Sequence, residues 1–268
     1  MNLVDLLRAC RARRCADARD KIFAVLSLAS DTGQLRIRAD YNLSKQELFT
    51  KVAANIMQQT QSLEILESVA HEKQSNLPSW VPDWTTDRVT VSLDLDYSLS
   101  PENGAYMFSA GGQEECFPTI DVDANSGVLS FQGTIIDRIS LLTDVVCAKK
   151  KTNDRSWMAW LQETIKAFDT SVYGQEEVME MAFWHTLSGG RTHDRQKVSE
   201  DYQPQFSAWR DHITTGDEIC VVRGSRVPWI LRESEGFRIF IGECYIHGIM
   251  DGEALKFPGF QPQEVRVI

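Results

Sequence analysis

No stretch of this sequence stays apolar for anything near the roughly 20 residues that span a bilayer. Its opening, MNLVDLLRAC, places Asp5 early and basic residues after the apolar stretch, the reverse of a secretory signal. The six cysteines (Cys10, Cys15, Cys116, Cys147, Cys220, Cys244) are scattered, without the paired spacing of zinc or redox sites. These absences predict a cytoplasmic protein, not inserted in a membrane, whose thiols remain reduced. Missing too are a Gly-x-Ser-x-Gly elbow, a phosphate loop, a dinucleotide fingerprint and a metalloprotease helix. His185, His193 and His212 have no partner at motif spacing, so neither metal nor cofactor is expected. Basic charge is short as well. With 28 Lys and Arg against 38 Asp and Glu, the net charge is −10, which disfavours nucleic acid and anionic surfaces as partners. The one basic cluster, Arg8, Arg11, Arg13 and Arg14, lies in a helical pattern and reads as a solvated face.

What is present is enough for a substantial core, since 43% of the residues are hydrophobic and 25% charged. Residues 1–86 read as helical. Val4, Leu6, Leu7 and Cys10 begin one helix, and Asp17-Ala18-Arg19-Asp20 leads into a second. Ser44-Lys45-Gln46-Glu47 is a capping box, followed by Leu48, Val52 and Ile56 as a stripe to bury. From residue 87 the period changes to two, at 89–93, 127–139 and 141–147, then again at 218–223, 227–232 and 237–246. Two helices, near 154–168 and 175–187, interrupt this region and form a helical insertion at about 154–212. The expected fold is α+β: a helical layer (1–86) packed on a mainly antiparallel sheet or partial barrel (87–268).

Three blocks carry a resemblance. Asp17-Ala18-Arg19-Asp20-Lys21-Ile22-Phe23 is one, and Pro78-Ser79-Trp80-Val81-Pro82-Asp83-Trp84 is the second. The third runs from Gly216-Asp217-Glu218 through Val227-Pro228-Trp229 to Gly242-Glu243-Cys244-Tyr245-Ile246-His247-Gly248. In this order they resemble the region that follows the effector domain in fungal heterokaryon-incompatibility (HET) proteins. No block matches the HET effector domain itself, so the cell-death signalling of that domain is not carried over. Relatives place a glycine-rich hairpin just before the Gly-Asp pair, whereas residues 202–215 here read as a short aromatic helix. A rebuilt strand pair predicts a cavity at the sheet edge.

Several residues are candidates for chemistry. Glu243 and His247, four apart in one expected strand, share a face and suit general acid–base work. Asp83 and Arg232 complete the catalytic candidates. Trp80, Trp84, Trp157, Met181, Trp184, Trp209 and Tyr245 are candidate walls for an apolar small-molecule substrate. The structural alternative makes Trp80 and Trp84 a plug between helices and sheet, with Asp83 bonding backbone amides. The resemblance permits a cofactor-independent cyclase or isomerase of Diels–Alder type, because some HET-like proteins occur in fungal natural-product pathways. It equally permits a non-enzymatic module of the incompatibility system that binds another protein.

Overall fold

The computed structural model describes residues 1–69, 76–86, 108–112, 120–140, 213–246 and 248–268. The helices expected near 154–168 and 175–187 and the strands at 89–93 and 141–147 lie outside the described residues.

The helical layer begins with α1 (Leu3–Ala9), capped by Asn2, whose side chain accepts the Asp5 amide at 2.8 Å. α2 (Asp20–Leu26) follows the Asp17 turn, in which the carboxylate accepts the Arg19 amide at 2.9 Å. The short α3 (Thr32–Leu35) ends at Arg36, left-handed with φ 52°. α4 (Lys45–Thr60) has the expected capping box: the Ser44 hydroxyl accepts the Glu47 amide at 3.2 Å, and Glu47 accepts the Ser44 amide at 2.9 Å. Its stripe of Leu48, Val52 and Ile56 is buried, as are Phe49, Ala53 and Met57. A 3-10 turn, Glu64–Ser68, completes the layer.

Six strands form one sheet: β1 (Asp121–Asp123), β2 (Val128–Arg138), β3 (Glu218–Val222), β4 (Trp229–Ser234), β5 (Phe237–Glu243) and β6 (Gln263–Val267). Every pairing is antiparallel except β5 with β6. β2 is long enough to serve several neighbours. Its first half pairs with β1 on one edge and β6 on the other, and its second half pairs with β3. The order β2–β3–β4–β5–β6 therefore bends back toward β2, and the β5–β6 seam is one parallel pair, Arg238 with Val267. The result is a partial barrel and an α+β fold, as expected. β6 and β1 were not expected from the period, and the anticipated 237–246 strand stops at Glu243.

The inward face carries Phe131, Cys220, Val222, Leu231 and Phe240, with Trp229 edge-on to Phe131 (5.0 Å) and to Phe240 (5.4 Å). This cluster is continuous with the buried residues of α1, α2 and α4, so helices and sheet share one core. A smaller cluster of Val221, Ile249 and Ala254 covers the other face. Residues 108–112 cross the β3–β4 turn so closely that a Cβ on Gly111 would lie 1.9 Å from the Val222 carbonyl oxygen. Only glycine fits there.

Candidate functional site

Residues 77–84 lie where the helical layer meets the sheet. Two prolines exclude regular structure, the Val81 amide donates to the Pro78 carbonyl at 3.0 Å in a turn, and the segment buries both Trp80 and Trp84. The Trp80 indole donates to the Gly127 carbonyl at 2.8 Å, in the turn between β1 and β2. Gly127 is itself left-handed (φ 71°), and a Cβ there would approach Pro78 to 2.9 Å. Trp84 meets Phe49 of α4 edge-on at 4.9 Å. Between them, Asp83 accepts the Thr85 amide (2.9 Å) and pairs with Lys45 of α4 at 3.0 Å. Burial pushes the Asp83 carboxyl up, but the bonds from Thr85 and Lys45 outweigh it and hold the group below its ordinary value. Burying each tryptophan is worth up to ~4–6 kcal/mol by area. The partly exposed ion pair adds at most ~1 kcal/mol. Aromatic packing therefore anchors the segment, and Asp83 sets its position.

Arg11 corrects the expectation of a solvated basic face. It is 3% exposed, and its guanidinium donates to the carbonyls of Ser68, Asp83 (3.0 Å) and Thr86 (3.3 Å). Burial lowers its pKa to about 10 against the opposing pull of Asp83. Arg8 is bound too, at 2.8 Å from Glu64 and 2.9 Å from Glu67. Arg13 and Arg14 alone of the four are exposed, as expected.

Glu67 meets the sheet side at Arg226, 3.8 Å away in the turn before β4. Burial, then repulsion from Glu243, raises the Glu67 carboxyl to about 8 despite the lowering influence of Arg8. Glu243 is itself buried at the end of β5, opposite Trp229. At the far end of the sheet, Asp217 receives Arg232 in two bonds of 2.8 and 2.9 Å and the Thr214 amide at 2.8 Å. Burial raises the Asp217 carboxyl, yet Arg232 and Thr214 outweigh it and hold the group below its ordinary value. The neighbouring Glu218 is gripped by Arg138 (2.6 Å) and Arg238 (3.0 Å).

The candidate residues therefore fall in separate places. Glu243 and Tyr245 lie together at the end of β5, where Tyr245 meets Phe108 edge-on at 5.8 Å. Asp83, Trp80 and Trp84 lie in the interlayer segment, and Arg232 is at the opposite end of β4, bound to Asp217. β5 ends at Glu243, and residues 244–246 are not strand. His247, Trp157, Met181, Trp184 and Trp209 lie outside the described residues. Sequence reasoning missed Arg11 and Glu67. Arg11 lies in the turn after α1 and Glu67 in the 3-10 turn, both among charged residues, and only their distant neighbours distinguish them from surface residues. Among the described residues, no group of three or more His, Cys, Asp or Glu side chains is placed to hold a metal ion.

Of the blocks resembling HET proteins, residues 78–84 join the helical layer to the sheet, whereas residues 17–23 bond within the helical layer. Residues 174–257 match the Het-6 beta-barrel domain family. Over 94% of its length, the chain is 33% identical to Heterokaryon incompatibility protein 6, OR allele, of Neurospora crassa. The chain is HET-related. It spans about half (51%) of that relative's length. The alignment runs over 358 positions, more than the 268 residues of the HET-related chain, so the relative carries segments within it that this chain lacks. No solved structure matches. Of the strands in the HET-related chain, the family match includes β3, β4 and β5, whereas β1, β2 and β6 lie outside it. No helix among the described residues is long and apolar enough to cross a membrane.

Proposed function

We propose that this HET-related chain acts as a recognition module in a heterokaryon-incompatibility-type response, presenting its barrel and helical layer to another protein. The observation that supports this reading is how its signature side chains are used. Arg19 binds Asp17 and the carbonyls of Tyr41 and Leu43; Lys21 binds the carbonyls of Arg11 and Arg13; Asp217 holds Arg232. Polar groups committed to backbone and to each other build a scaffold, and the named relative supplies the biological setting. Expressing the chain in one of two otherwise compatible Neurospora crassa strains is expected to reduce recovery of viable heterokaryons. Unchanged recovery with the folded chain present overturns the reading.

A second reading rests on a different observation, the raised Glu67 carboxyl beside the buried Glu243. A carboxyl kept protonated near neutrality can donate a hydrogen bond to a substrate carbonyl and lower a cyclisation barrier without a cofactor. In this reading the chain is a Diels–Alder-type cyclase acting on an apolar polyene. Glu243 and His247 supply acid chemistry, and Tyr245, Trp157, Met181, Trp184 and Trp209 the walls. Incubation with linear polyenes, followed by chromatography and mass spectrometry, should yield an isomer of unchanged mass faster than buffer does. A rate equal to that of buffer for every polyene sinks the cyclase.

A further inference from the structure

One end of the partial barrel carries charge on its inward face. Glu218, at the start of β3, is two residues from the buried Cys220 and shares its face, and it is 1% exposed. Arg138, the last residue of β2, lies directly across from Glu218 in the strand register. Arg238, near the start of β5, is two residues from the inward Phe240. The Glu218 carboxylate gives one oxygen to each arginine. Arg138 Nη2 donates to Oε1 at 2.6 Å, and Arg238 Nε donates to Oε2 at 3.0 Å. In the strand order β4 separates β3 from β5, so one carboxylate gathers two guanidinium groups from different walls of the barrel mouth.

Charge does not balance at this mouth. Two guanidinium groups meet one buried carboxylate, and Glu233, 3.8 Å from Arg138, has a side chain 57% exposed, so water and salt screen it. Donors are in surplus as well. A guanidinium carries five N–H groups. Among the described residues, the bond to Glu218 is the one hydrogen bond that each of these two side chains makes. Both side chains reach solvent, Arg138 at 58% exposure and Arg238 at 24%.

We propose, independently of either functional reading, that Arg138 and Arg238, gathered by Glu218, bind the oxyanion of a small ligand, a phosphate or carboxylate group, at this mouth. Guanidinium forks match two oxygens of such a group in charge and in spacing. Glu218 already restrains both arginines, so less side-chain ordering is left for binding to impose. Barrel mouths suit small ligands because side chains from several strands converge there. Leu231 and Phe240, in register with Glu218, are buried and fill the barrel at that level, so the site is shallow and takes a charged group rather than an apolar chain. The net charge of −10 repels a polyanion at long range, which leaves a small ligand as the occupant.

Titration of the whole chain with inorganic phosphate and, separately, with acetate tests this. The readout is the nitrogen–proton resonances of the arginine Nε groups, with sodium chloride at matched ionic strength as the control. The Arg138 and Arg238 signals should shift together and saturate in the millimolar range, and the tighter of the two anions tells a tetrahedral ligand from a planar one. Arg138→Gln and Arg238→Gln each leave the other arginine on Glu218. Each should weaken binding by about 10-fold or more, the usual worth of hydrogen bonds to a charged group. Equal shifts with chloride, shifts that never saturate, or unchanged binding in either variant overturn the proposal. Should the variants fail to fold, the wild-type titration decides: absence of a saturable shift specific to phosphate or acetate overturns it.

Discussion

The Ser79 hydroxyl accepts the amide of Phe240 at 2.8 Å, across 161 positions of sequence. The same hydroxyl and the Ser79 amide both donate to the Ile268 carbonyl oxygen, and the Ile268 amide donates to the Arg238 carbonyl. Ser79 thus occupies the seam between β5 and β6, where the strands share one bridged pair. A side chain from the interlayer segment stands in for ladder bonds that the two strands do not make.

Ser79→Ala should therefore destabilise the chain by about 1–3 kcal/mol, the usual cost of leaving partly buried backbone groups unsatisfied. Denaturant unfolding measures the loss, and amide exchange at Phe240 and Ile268 should quicken selectively. Wild-type exchange at both amides would disprove the clasp.

Trp80→Phe keeps most of the ring in the core but strands the Gly127 carbonyl, whose partner is the indole nitrogen. A loss of about 1–3 kcal/mol in unfolding free energy is expected. Trp84→Ala empties more volume against Phe49 and should cost about 3–5 kcal/mol.

Arg11 serves three carbonyls with one planar group. Lysine offers a single donor point and cannot reproduce that fork, so Arg11→Lys should lose nearly as much stability as Arg11→Met, about 2–4 kcal/mol. Recovery of wild-type stability in the lysine variant would show that charge alone matters.

Asp217 gives the acid limb. Its carboxyl is held below the ordinary value, so the stability it contributes is present above its unfolded value, near 3.9, and is lost as pH falls through the folded one. Thermal scans of wild type should fall below about pH 4 more steeply than those of Asp217→Asn, which starts less stable and has less to lose.

Gly111→Ala places a methyl group 1.9 Å from the Val222 carbonyl, a contact that only backbone movement can relieve. Soluble yield should drop sharply, whereas Gly33→Ala, with nothing within 4 Å, should leave it unchanged.

Local signals were legible where neighbours in sequence are also neighbours in space. Ser44 and Glu47 cap α4 as their spacing implies, and the Leu48, Val52 and Ile56 stripe is buried. The alternation at 127–139 became β2 almost to the residue. β6 escaped because its buried Val265 and Val267 are only two positions, too short a pattern to read.

Composition, period and short motifs by themselves determined the helical beginning and the mainly antiparallel remainder. Those features depend on residues a few positions apart, which local geometry places on one face or one turn. Tertiary structure alone decided that Arg11 is buried, that Ser79 closes the β5–β6 seam, and that Glu67 meets Arg226 across the layers. Each of those depends on partners 57 or more positions away, which no local pattern encodes. Once brought together, they are governed by burial, because exclusion of water is what makes an unpaired carbonyl or an unpaired charge costly.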